Sequence, residues 1–298
     1  MLAIKNINTL GVASCLGGSE TTCHTAPGEI KYSNFGHILS EQHLVLDWQD
    51  IIGQNFLAYN RLNELININQ KIAHFSAKNV SDSMIFLVIS GDHSSAMGTW
   101  AGVKNALAKE QPAKTLGLIW LDAHLDAHTL HSSPSGNFHG MPISALLGLS
   151  EPALLACYPS QYYIASHELL MYGIRSYESR EKKLLEANKV QFYPFEISST
   201  MNQVKDTFLA DCESLIDACD VIGISLDLDV LDPFEAPAVE TAVANGLKKS
   251  YLLDILKHLK KQAKDKLIGL EITEFDPVKD KNHKTEKAIF EIIAQVFS

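Results

Sequence analysis

The sequence predicts an α/β fold, a largely parallel sheet with helices packed against both faces. Short apolar, β-branched runs recur along the chain, longer stretches with helical spacing separate them, and ionisable residues gather just after several of the apolar runs. The candidate strands lie near Asn6–Val12, Met84–Ile89, Leu116–Leu121, Leu170–Ile174, Val190–Tyr193, Val221–Leu226 and Leu267–Ile272. Their continuous apolar character suits strands buried on both faces. Candidate helices lie near Asp50–Ile66, Ala96–Ala108, Arg180–Ala187, Lys205–Asp217 and Lys248–Ala263. A last one near Lys284–Val296 turns Ala288, Ile289, Ile292 and Val296 toward the sheet. These candidates leave room for an eighth strand of weaker signal.

At 298 residues the chain can bury a large core without disulfide or metal staples. No Pro/Gly/Ser-rich linker, internal repeat or low-complexity tract divides it, so residues 1–298 are read as one domain. Acidic residues outnumber basic ones, 35 against 25, and the formal charge of -10 is spread along the chain. Non-specific binding to nucleic acid or to an anionic membrane needs concentrated positive charge, which is the opposite pattern. The five cysteines, Cys15, Cys23, Cys157, Cys212 and Cys219, form no closely spaced pair, which points to a reducing compartment. The N-terminus has no long apolar segment, and the run Met84–Ile89 stops far short of a bilayer span. The expected location is the cytoplasm.

Loops at the carboxyl ends of the strands form the working surface of open α/β sheets, and the polar clusters fall there. MIFLVIS is followed by Gly91, Asp92, His93 and Ser94; LGLIWL by Asp122, His124, Asp126 and His128; VIGISL by Asp227 and Asp229; LIGLEI by Glu274. If extended geometry persists, Asp227 and Asp229 point the same way, as do Asp122, His124 and Asp126. Neighbouring carboxylates repel unless a cation lies between them, and no Lys or Arg is near in sequence to supply it. Four aspartates and two histidines are about what two metal ions need, and an oxygen-rich O/N set without thiolates suits Mn²⁺. Two ions roughly 3.5–4 Å apart acidify a water and deliver hydroxide to an electrophile, which predicts metal-assisted hydrolysis.

At these residues the chain resembles the ureohydrolase superfamily of arginases, agmatinases, guanidino-acid hydrolases and formimidoylglutamases. The matching strings are SGDHS at Ser90–Ser94, DAHLD at Asp122–Asp126, SPSGNFHGMP at Ser133–Pro142, SLDLDVLDP at Ser225–Pro233 and EITEFDP at Glu271–Pro277. The resemblance implies a three-layer α/β/α fold with a mostly parallel sheet of about eight strands, and a site with two Mn²⁺ ions per subunit. One ion would be held by His93, Asp122, Asp126 and Asp227, the other by Asp122, His124, Asp227 and Asp229. Asp126 would also orient a metal-bridging hydroxide that attacks a guanidinium or formimino carbon. Glu274 would pin the guanidinium with charge-assisted hydrogen bonds, and His139 would shuttle a proton. Assembly as a trimer or hexamer is a further expectation from the family.

The substrate loop resembles that of bacterial arginases. There Ser133 and Ser135 would meet the substrate carboxylate, Glu178 and Glu181 the α-amino group, and His128, Asn137 and Thr241 would also lie in the site. L-arginine, yielding urea and L-ornithine, is therefore the expected substrate. Departures surround the substrate tail: His128 stands where arginases usually carry Asn, Glu178 is one methylene longer than the usual acid, and the TGxP string has become Val239–Glu240–Thr241–Ala242. Such changes can redirect specificity without altering the reaction. Agmatine, another guanidino acid or N-formimino-L-glutamate stay open as substrates. A non-catalytic binding or regulatory descendant is disfavoured by the complete ligand set. A metal-dependent phosphoesterase is disfavoured by the lack of an Arg/Lys clamp.

Overall fold

The computed structural model describes residues 4–19, 21–53, 60–198 and 201–298. Eight strands form one sheet: β1 (Lys5–Val12), β2 (Leu44–Ile52), β3 (Phe86–Ser90), β4 (Leu116–Leu121), β5 (Leu169–Ile174), β6 (Gln191–Pro194), β7 (Val221–Asp227) and β8 (Leu267–Thr273). Their order is β2-β1-β3-β8-β7-β4-β5-β6, and every neighbouring pair is parallel. The helices are α1 (Ala26–Lys31), α2 (Gly36–Ser40), α3 (Arg61–Ser81), α4 (Ala96–Ala108), α5 (Pro142–Leu146), α6 (Pro152–Leu155), α7 (Ser179–Ala187), α8 (Met201–Ala218), α9 (Lys249–Ala263) and α10 (Lys284–Phe297).

Side chains alternate along each strand and so supply two cores, one per face. In β3, Leu87 and Ile89 join one cluster with residues of α8, α9 and α10, whereas Phe86 and Val88 join the other with residues of α3, α4 and α5. β4 divides the same way, Ile119 and Leu121 against Leu118 and Trp120. Three layers result, as expected. Among the described residues, no helix is long and apolar enough to cross a membrane.

The helix expected near Asp50–Ile66 is a correction. Asp50, Ile51 and Ile52 end β2, paired with Leu10, Gly11 and Val12 of β1. Residues 54–59, in the middle of the expected span, lie outside the described residues, and helix begins only at Arg61, capped by the Asn60 side chain accepting from Asn63 N. β2 is the missing eighth strand. It lies at the sheet edge, so Asp47, Gln49 and Asp50 can face water, and that polarity diluted its signal.

Central strands need close approach from the covering helices. Gly223 of β7 and Gly269 of β8 are register partners, and a Cβ on them would lie 2.1 Å from Trp100 and 2.3 Å from Phe86 respectively. The two glycines form a flat floor for these fully buried rings. Gly223→Ala should therefore lose about 1–3 kcal/mol of stability through overpacking, read as a lower urea midpoint at unchanged m-value; an unchanged midpoint would contradict this packing account.

Candidate metal centre and substrate cleft

β3, β8, β7 and β4 are the four central strands, and their carboxyl ends bring the separated motifs together. His93 follows β3, Glu274 follows β8, Asp227 ends β7, and Asp122 follows β4. His93 Nδ1 lies 3.2 Å from one oxygen each of Asp122, Asp126 and Asp227. That nitrogen is buried and makes no hydrogen bond, so four donors converge on a point without satisfying one another. Beside it, His124 Nδ1 lies 2.8 Å from Asp229 and 3.6 Å from Asp122. Asp122 therefore belongs to both groups.

Backbone donors fix these carboxylates. Asp122 Oδ1 accepts from His124 N at 2.7 Å, Asp227 Oδ1 from Asp229 N at 2.8 Å, and Asp229 Oδ1 from Ala123 N at 3.0 Å. Leu228–Val230 form a single tight helical turn rather than the extended run anticipated, yet both aspartates still reach the cluster. Asp126 and Glu274 adopt positive φ values of 46° and 69°, left-handed conformations that cost non-glycine residues energy and recur at functional sites. The Ile143 N–H to Asp126 O and Glu274 N–H to Gly91 O bonds, each 2.9 Å, hold them there.

Burial and mutual repulsion decide the charge states. Burial, reinforced by Asp122, pushes Asp126 up to about 6; burial with Asp229 and Asp122 raises Asp227 well above the usual carboxylate range. Burial alone would lower the pKa of both His93 and His124, but the carboxylates around each ring outweigh it and raise them well above the ordinary value. Protons are thus drawn to where cations would sit, and the all-oxygen-and-nitrogen donor set fits divalent ions.

Several supporting residues were not singled out from sequence. His93 Nε2 is 3.0 Å from Ser225 Oγ, which donates to Glu271 at 2.9 Å; Glu271 also accepts from Ser95, Thr99 and Trp100 Nε1. Trp120 stacks on His93 at 4.1 Å between ring centres and donates to Asp122. Arg175 directs its guanidinium at the carbonyls of Gly173, Asp229, Val230, Leu231, Val243 and Ala244, tying the loop after β7 to the end of β5. Only the serine's place in SLDLD and the glutamate's in LEI hinted at this layer.

A cleft of about 170 Å³ opens over the cluster, with His124, Asp126 and Asp227 at its floor and His128, Ser135, His139, Glu178, Glu181, Thr241 and Glu274 around it. His139 Nδ1 is 3.2 Å from Glu274 Oε1, an oxygen that also accepts from His93 N. Burial would lower its pKa, but Glu274, followed by Glu240 and Asp126, raises it to about 10. Glu274 itself is pushed up to about 7 by burial against the pull of His139. His128 Nε2 lies 2.9 Å from Glu178 and 3.3 Å from Glu181. Glu181 accepts from Ala127 N and Glu178 N. Thr241 Oγ1 donates to Asp229 at 3.4 Å. Ser133 and Asn137 stand outside the cleft lining; the Ser133 and Ser135 hydroxyls accept backbone N–H groups of their own turn.

This three-layer fold, with a His/Asp cluster at the ends of its central strands, is that of the ureohydrolase superfamily. Residues 5–298 match the arginase family, and the chain belongs to that family. It is 32% identical to the arginase of Bacillus subtilis over 295 residues, 97% of this chain and 96% of the relative. The native arginase structure of Bacillus caldovelox superposes with a TM-score of 0.87 at 29% identity, covering 99% of this chain and 98% of that one. Entamoeba histolytica arginase in complex with L-ornithine gives 0.87 at 25% identity, covering 99% of both.

Removing the support behind His93 tests whether the cluster is built to hold cations. Ser225→Ala and Glu271→Gln should each weaken Mn²⁺ retention about 10–100-fold, measured as bound manganese after equilibrium dialysis. Retention equal to that of the unaltered protein would argue against it.

Proposed function

We propose that the protein hydrolyses the guanidinium group of L-arginine to urea and L-ornithine with two Mn²⁺ ions. The observation that carries the reading is the convergence of His93 Nδ1 and three carboxylates on one point without hydrogen bonding, continuous through Asp122 with a second set. His93, Asp122, Asp126 and Asp227 would hold one ion; Asp122, His124, Asp227 and Asp229 the other. When bound, such cations lower the pKa of water enough to make it a nucleophile near neutral pH.

The remaining work falls to side chains of the cleft. Glu274 Oε2 is buried and has no hydrogen-bond partner, so a guanidinium N–H satisfies it, and the planar cation is held with its carbon over the cluster. Asp126, facing the same cluster, orients the attacking water. His139, beside Glu274, gives a proton to the departing amine, a role suited to a ring held protonated. Ser135 and His128 meet the substrate carboxylate from the cleft lining, and Glu178 and Glu181 its amino group, with Thr241 lining the wall; Ser133 and Asn137, outside that lining, receive no contact in this reading. The L-ornithine described in the Entamoeba relative supports an amino-acid product. Residues 1–298 act as one catalytic domain, in the cytoplasm, within a homo-oligomer.

One observation favours a sibling substrate as the second reading. His128 and Glu178 already satisfy each other at 2.9 Å, so an α-amino group must displace the imidazole to reach its acid. Agmatine, N-formimino-L-glutamate or a guanidino acid lacking an α-amino group would escape that exchange. Side-by-side turnover of arginine, agmatine, 4-guanidinobutyrate and formiminoglutamate by the Mn²⁺-loaded protein decides between them; inert arginine beside active agmatine would remove the amino-acid reading. Asp122→Ala should abolish hydrolysis of whichever is used, and Glu274→Gln should lower kcat/KM by about 10²-fold or more. Unchanged rates in Asp122→Ala would refute the metal reading.

A further inference from the structure

Glu240 has no role in the reaction as described above, yet it is built into the wall behind His139. A ring nitrogen of His139 and carboxylate oxygens of Glu240 and Glu274 all lie within 4.8 Å of one another. Glu240 Oε1 accepts from Ser19 N at 2.8 Å and from Ser19 Oγ at 3.4 Å. The turn that carries Ser19 is shaped for acids: a Cβ on Gly18 would lie 2.3 Å from Glu240 Oε2, and one on Gly17 would lie 2.2 Å from Asp92 Oδ1. The same turn is bonded to the His139 backbone, whose N–H donates to Gly17 O at 3.1 Å. One short loop after β1 therefore fixes the Glu240 carboxylate and the His139 main chain together.

The groups around His139 come from several elements. Glu274 follows β8, Asp92 follows β3, Asp126 follows β4, and Glu240 lies on the loop between β7 and α9; all four bear on the ring or on Glu274. Two cations of this region have partners of their own. Arg61 donates to the carbonyls of Leu16 and Gly18 while its guanidinium lies 5.7 Å from the Phe138 ring centre. Lys279 donates to Val239 O at 3.2 Å and pairs with Asp276 at 3.4 Å.

In the free protein His139 has Glu274 as its 3.2 Å partner. A guanidinium substrate requires that same carboxylate, and two cations then compete for one negative charge. We propose that Glu240 is a positioning residue that acts through His139, serving as its counter-charge while Glu274 binds substrate, so that the ring keeps its proton for the departing amine. This rests on the amidine-hydrolase reading given above.

Glu240→Gln keeps an acceptor for Ser19 N–H but removes the charge, and Glu240→Asp keeps the charge. In Glu240→Gln the high-pH limb of kcat should move down by one pH unit or more, while Glu240→Asp stays nearer the parent; in a His139→Asn background the glutamine change should have no further effect on the profile. A second readout needs no turnover. Calorimetric binding of guanidinium ion, measured in buffers of different ionisation heat, should release more protons in Glu240→Gln than in the parent. A profile and a proton count both unchanged in Glu240→Gln, with melting temperature retained, would overturn the proposal while leaving hydrolysis itself intact. Failure of the parent to hydrolyse any guanidino compound would instead strike the functional reading, and the proton count would still decide whether Glu240 compensates His139. If Glu240→Gln does not fold, Glu240→Asp in the calorimetric assay decides: the parent's proton count upholds the role of charge, and a larger release overturns it.

Discussion

Gathering four aspartates and two histidines at the ends of buried strands creates an electrostatic problem that most of the surrounding structure serves to contain. A carboxylate removed from water is costly unless hydrogen-bonded and balanced. Backbone N–H groups of Ala123, His124 and Asp229 satisfy one side of the carboxylates, leaving the other oxygens to face His93 and His124. Trp120 closes one flank with its ring face and indole N–H. What is left over is negative charge aimed inward, the condition under which a divalent cation becomes part of the folded state.

Rigid and adjustable parts of the site are drawn from different places. The cluster hangs on four adjacent central strands whose registers are set by parallel pairing, with one shift in β7 between Ile222 and Gly223, far from the site end. The residues proposed to face the substrate tail, by contrast, come from the 126–142 segment and the start of α7, where Glu178 is exposed and pairs with His128. On the proposed reading, reaction class and substrate choice are thereby separated physically. An exchange of one tail residue, such as His for Asn, leaves the registers that hold His93 and Asp227 untouched.

The sheet and the cluster were legible because both obey local rules. Buried parallel strands read as unbroken apolar runs, and donors that follow them in DAHLD or DLD fall on one edge whatever the loop details. β2 was not legible, since an edge strand bearing Asp47, Gln49 and Asp50 looks like the approach to a helix. Nor were Arg175, Glu271 and Ser225 visible as partners of the site: their roles depend on contacts across 46 to 176 residues of chain that no spacing encodes. Glu240 shows in sequence only as an acid within the altered TGxP string, and the glycine turn that seats it is a product of the third dimension.

Asp126 and Glu274 share one further property, a backbone twist that their side chains do not favour. Main-chain bonds to neighbouring segments help keep each in place, Ile143 N–H donating to Asp126 O and Glu274 N–H to Gly91 O. On the proposed reading the site is in this sense spring-loaded: slackening those bonds would let the residues relax to commoner angles while the sheet beneath persists. Warmth or mild denaturant would then silence the chemistry before it disturbs the overall shape.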